Sequence, residues 1–105
     1  MATIVKLIDG ATGTGAGSPF PIDPAMTRNG GSIPIVITGI TVATVILQAT
    51  ISTQAEVEEG TAVWATVSQG SWTADIADGL FTPFSHIRGN VLAYTSGTIT
   101  MKTWL

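Results

Sequence analysis

The sequence predicts an all-β protein, an antiparallel β-sandwich or jelly roll of about seven to eight strands with an extended Gly/Pro-rich N-terminal arm. Three observations predict it. Val, Ile and Thr recur with a period of two in several runs, so alternate side chains face opposite sides of a sheet. Those runs are separated by Gly-containing steps such as Asp9-Gly10, Asn29-Gly30-Gly31 and Asp78-Gly79. Helical spacing of apolar residues is not seen, and Gln54 to Gly60 holds a single turn at most. With 105 residues there is room for one domain with a core, residues 1–105, in which 11–24 form the arm.

The elements follow in chain order. Thr3 to Ile8 reads as a first strand closed by Asp9-Gly10. Ala11 to Pro24, rich in Gly and Pro, reads as an extended arm that orders on a neighbouring subunit, with Phe20 and Ile22 as its apolar anchors. After the reversal at Asn29-Gly30-Gly31 come two strands, Ile33 to Thr38 and Val42 to Thr53. In the first, Ile33, Ile35 and Ile37 alternate with Pro34, Val36 and Thr38. In the second, Val45, Leu47, Ala49 and Ile51 alternate with Ile46, Gln48, Thr50 and Ser52. An acidic connection, Gln54 to Thr61, ends at Gly60. Ala62 to Val67 and Ser71 to Asp75 are expected to form a short hairpin about Ser68-Gln69-Gly70. Asp78-Gly79 then precedes an aromatic segment, Leu80 to Phe84. The last segment, Ile87 to Leu105, reads as two strands folded about a Ser96-Gly97 turn.

Composition excludes several function classes. Charged residues make up 10% of the chain, against about 25% in an ordinary soluble domain, and Thr, Ser, Gly and Ala take their place. Such a surface is covered by other protein at little desolvation cost, which points to an assembly component. The four basic residues, Lys6, Arg28, Arg88 and Lys102, are scattered along a chain of net charge −3, so nucleic acid is not expected as a partner. No cysteine is present, which removes disulfides, thiolate metal sites and thiol chemistry together. The first residues lack the pattern of a secretory signal. Ile33 to Ile51 is uncharged, but Pro34, Gly39 and its β-branched residues suit strands, so no membrane span is expected.

Reactive constellations are equally sparse. His86 is the only histidine, so multi-histidine metal sites fail by count. A Ser-His-Asp set from Ser71 or Ser85 with Asp75 or Asp78 is arithmetically open, yet no serine has nucleophile-elbow context. His86 itself reads as a loop residue. Glu56, Glu58 and Glu59 do not match a calcium-loop spacing. The glycines from Gly10 to Ser18 run into Pro19-Phe20-Pro21 and not into a helix, so they do not form a phosphate loop. No catalytic residue, metal or cofactor is therefore expected. Trp64, Trp72, Trp104 and Tyr94 suit a core or an interface better than a sugar-stacking platform. The face Arg88, Asn90, Leu92, Tyr94, alternating with Gly89, Val91 and Ala93, is the expected interaction surface; Trp64, on the opposite side of its strand from Val63, Ala65 and Val67, is a separate interface or surface candidate.

Arg88-x-Asn90-Val91-x-x-Tyr94-Thr95-Ser96-Gly97-Thr98-Ile99-Thr100, with the Val45 to Gln48 strand and the strand bearing Trp64, resembles small β-sandwich virion proteins of tailed bacteriophages. The resemblance covers roughly Val42 to Thr103 and departs from the pattern between Ser52 and Val63, where a longer acidic segment replaces an Asp-Gly turn. It implies a capsid decoration, or cement, protein on the virion surface. Its partners would be the major capsid protein and itself, as a homodimer or homotrimer. A tail, neck or fibre-base accessory protein and a carbohydrate-binding module are the alternatives.

Overall fold

The computed structural model describes residues 4–22, 32–81 and 84–104, with the side chains of residues 32, 81 and 104 left aside. The expected reversal at Asn29-Gly30-Gly31, the end of the arm at Pro24 and part of the aromatic segment lie outside the described residues. The fold is all-β and sandwich-like, and the described residues form seven strands and one short helix: β1 (Ile4–Ala11), β2 (Gly15–Ala16), β3 (Phe20–Pro21), β4 (Ser32–Thr50), α1 (Gln54–Glu59), β5 (Ala65–Trp72), β6 (Ile76–Phe81) and β7 (His86–Trp104). Every strand pairing is antiparallel.

Two strands of 19 residues, β4 and β7, run side by side from Ile35↔Thr103 to Thr50↔His86 and form the spine of the molecule. Their ladder is interrupted between Thr38 and Val45 by a succession of register shifts. At this crease Gly39 (φ 86°) and Gly97 (φ 126°) hold backbone conformations that L side chains avoid. A Cβ on Gly39 would overlap the Thr98 carbonyl oxygen, and one on Gly97 would overlap that of Gly39. Bulges at this point bend both strands together and give the sheet two halves.

Each half gathers its own neighbours. The first layer contains β1, the C-terminal half of β7, the N-terminal half of β4 and β6. The second contains β2 and β3, the N-terminal half of β7, the C-terminal half of β4 and β5. Leu7, Ile33, Ile35, Ile37, Ile99 and Met101 from the first layer share one core cluster with Val45, Leu47, Val67, Trp72, Ile87 and Val91 from the second. Gly89 leaves room for that packing, since a Cβ there would come within 2.6 Å of Ile8 Cγ1 and 3.0 Å of Met101 Sδ.

Four expectations are corrected. The Ser96-Gly97 step is no hairpin turn: Ser96 pairs with Val42 and Gly97 with Ile40, inside one continuous strand, because β4 bends alongside it and supplies partners on both sides of the crease. For the same reason the two strands expected at Ile33–Thr38 and Val42–Thr53 are one. Ser68-Gln69-Gly70 is a bulge within β5, with Gln69 at φ 64°, since Ser71 and Thr66 both pair with β4. The arm is extended, but its described part lies on its own chain. Gly15, Ala16, Phe20 and Pro21 pair with Val91, Asn90, Ile87 and His86 along the edge of β7, and Gly17 N donates to Gly89 O at 2.7 Å. Ile22 is buried in the chain's own core and Phe20 packs against it, so these anchors hold their own domain and not a neighbour. The apolar side chains find the nearest uncovered edge of the sheet, at no translational cost.

Candidate interaction surfaces

The expected interaction face is only partly assembled. Arg88 and Asn90 pair with Gln48 and Ile46 on the outward side of the second layer, while Val91 is buried in the core. Leu92 is exposed. Tyr94 departs from this row. Val91 pairs with Val45 but Ala93 with Thr44, so β7 carries one extra residue there and the alternation reverses. Tyr94 consequently packs against the core, its hydroxyl donating to Gly97 O at 2.6 Å, and Ala93 faces solvent.

Trp64 does join Arg88. The guanidinium lies 4.3 Å from the Trp64 ring centroid, and Arg88 Nε donates to Gln48 Oε1 at 2.8 Å. Burial holds the Arg88 guanidinium below its ordinary value, but an arginine stays charged throughout the usual pH range. Trp72 and Tyr94 pack in or against the core, and one face of Trp64 is taken by Arg88, so these three do not form a shared platform, and the Trp104 side chain lies outside the described residues.

Trp64 belongs to a roof over the second layer. The roof is the connection 51–64 between β4 and β5 and contains α1, whose N-cap Thr53 forms a reciprocal capping box with Glu56 and whose C-cap Gly60 adopts the left-handed conformation. His86 fastens it. This residue is buried at the start of β7, not in a loop, with Nε2 2.6 Å from Gln54 Oε1 and Nδ1 3.0 Å from Ser85 Oγ. Ser85 Oγ in turn lies 2.9 and 2.8 Å from the carbonyl oxygens of Thr50 and Ser52, to which its proton is directed. The second histidine nitrogen faces an amide, while Asp75 accepts from Ile40 N and Asp78 from Gly79 N. The contact therefore works as a fastening and lacks the carboxylate of a charge-stabilised triad. Ile46, though it points away from the core cluster, is also buried on this side.

The opposite outer face was not singled out by the sequence. Ile4, Lys6, Pro34, Val36 and Lys102 stand on the outward side of the first layer, and Ile4, Pro34, Val36 and Lys102 line a shallow apolar groove with Thr103 at its floor. Ile4 is 68% exposed and Val36 42%. Its signal lay in Ile33-Pro-Ile-Val-Ile37, a strand apolar on both sides, which implies something to cover each. Lys6 and Lys102 sit directly opposite one another across the β1–β7 ladder. Among the described residues no group of His, Asp and Glu side chains is arranged to hold a metal, and no helix is long and apolar enough to cross a membrane. No family model, curated protein or solved structure matches the chain.

Proposed function

We propose that this chain is a structural protein of a bacteriophage virion, a capsid decoration protein that binds the assembled major capsid shell and stabilises it. The observation that supports this reading best is the distribution of exposed apolar side chains. Ile4 and Val36 lie on one outer face, Ile51 and Val63 flank the roof on the other, and Val42 and Leu92 lie along the crease. A piece held between neighbours on several sides makes use of such contacts on each of them. The low charge density of the surface favours the same role. Binding the shell and not its free subunits stabilises the shell by linkage, and many copies amplify a modest single-site affinity.

The Leu92 side, with Val42, is the surface offered to the shell. Leu92→Asp should leave thermal unfolding close to that of the parent chain and lower occupancy on purified particles, measured as copies per shell subunit. Unchanged occupancy would remove the shell contact from this surface, and a copy number in proportion to the tail axis would replace the decoration reading by a tail or neck role.

A further inference from the structure

The open face of the first layer combines exposed apolar side chains with unmatched positive charge. Lys6 and Lys102 are directly opposite partners in the β1–β7 ladder, an arrangement of like charges that is unfavourable unless an anion lies nearby. Asp9 offsets it only in part, at 3.5 Å from Lys6 Nζ with both side chains largely exposed. Ile4 and Val36 stand beside these lysines.

The roof on the opposite side carries the complementary set. Glu56, Glu58 and Glu59 lie in the six residues of α1, and no basic residue follows in its last turn. Glu56 is occupied by the capping box and Glu58 accepts from Gln54 at 3.0 Å, but among the described residues no cation pairs with any of the three. Ile51 and Val63, 83% and 81% exposed, flank the helix in the chain. The open face is thus apolar and basic, and the connection that bears α1 is acidic with an exposed apolar residue at each end.

We infer that the open face is an interaction surface for a second copy of this chain, docked through its acidic roof: Ile4, Val36, Lys6 and Lys102 of one copy against Ile51, Val63, Glu58 and Glu59 of the next. The two surfaces are formed by different parts of the chain, so the contact is heterologous and leaves one surface of each kind available for further copies. Its apolar centre supplies contact area, while the Lys–Glu rim sets orientation and makes association sensitive to salt. The inference deepens the reading as an assembly protein, and it concerns contacts between copies, apart from any shell.

Sedimentation equilibrium of the purified chain, without capsid, tests it. The mass should rise with concentration beyond that of a dimer and fall as salt is added. The paired variants Lys6→Glu/Lys102→Glu and Glu58→Lys/Glu59→Lys should each weaken association by about tenfold or more. Both change exposed positions, and unchanged thermal unfolding would establish that the fold persists. Mixed in equal amounts, they should restore the parent behaviour, because each then offers the charge that the other lacks. A chain that stays monomeric up to millimolar concentration would overturn the inference, whether or not it binds shells. So would a dimer disrupted by the lysine changes alone, which would show the open faces meeting each other, or a mixture no better associated than its components.

Discussion

The outer faces of the two layers are built from the two halves of the same strands, β4 and β7, and meet opposite fates. Over the second layer the outward row Ile46, Gln48, Thr50, His86, Arg88 and Asn90 lies beneath a roof, with Trp64 stacked on Arg88 and His86 tied to α1. Over the first layer the outward row Ile4, Pro34, Val36 and Lys102 is bare. Similar strand patterning therefore does not decide whether a face is finished within the chain. The connection between β4 and β5 spans 51–64 and is long enough to fold back over its own layer, and the first layer has no described connection above it. Hydrogen-bonded polar groups suit the roofed side, where burial makes an unpaired group costly, while the open side carries small apolar groups and two lysines.

The largest expected effect breaks the crease that creates the two faces. Gly97→Val adds a side chain against Gly39 O at φ 126° and should cost about 3 kcal/mol or more, read by chemical denaturation, and in the extreme no folded protein. Next is the fastening of the roof. His86→Ala empties a buried site and removes its contacts to Gln54 and to Ser85, which keeps its bonds to the Thr50 and Ser52 carbonyls; the cost should be about 2 kcal/mol, and amide exchange should accelerate in α1 before the rest of the sheet. Trp64→Ala removes the stacking on Arg88 and should cost about 1 kcal/mol by the same measurement; a loss below experimental error would mean that the roof shields little. On the bare side, Val36→Thr should change stability by less than about 0.5 kcal/mol, since its side chain faces solvent. A large loss there would mean that the first layer's outer face is packed and not open.

Much of the core was legible in the chain. The period-two runs at Ile33–Ile37 and Val45–Ala49 place the correct side chains inside, because alternation along a strand is a local property of the backbone. The single turn allowed for Gln54 to Gly60 is the short helix α1, which Gly60 ends, whereas the Thr53/Glu56 capping box that opens it emerges only in the structure. Tyr94 was misplaced because one extra residue in β7 reverses the alternation, and a bulge is visible only once the partner strand is known. Trp64 and Arg88 were both named, but their stacking joins the roof to β7, a contact between segments far apart in sequence.

The glycine steps show where local reading ends. Ser96-Gly97 has the composition of a reversal, and Gly97 does take the positive φ such a step provides. Whether that conformation closes a hairpin or bends a continuous strand depends on what lies beside it, here Gly39 and Thr41 of β4. The arm is similar: its extended character follows from Gly and Pro, but the docking of Gly15, Ala16, Phe20 and Pro21 on β7 depends on an edge formed by residues some 70 positions later. The sequence by itself determined an all-β chain, the inward side of its long strands and the scarcity of charge, since each follows from neighbouring residues. Only the tertiary structure decided the crease, the destination of the arm, and which outer face is roofed and which is bare, because each depends on surfaces that exist only after distant strands have paired.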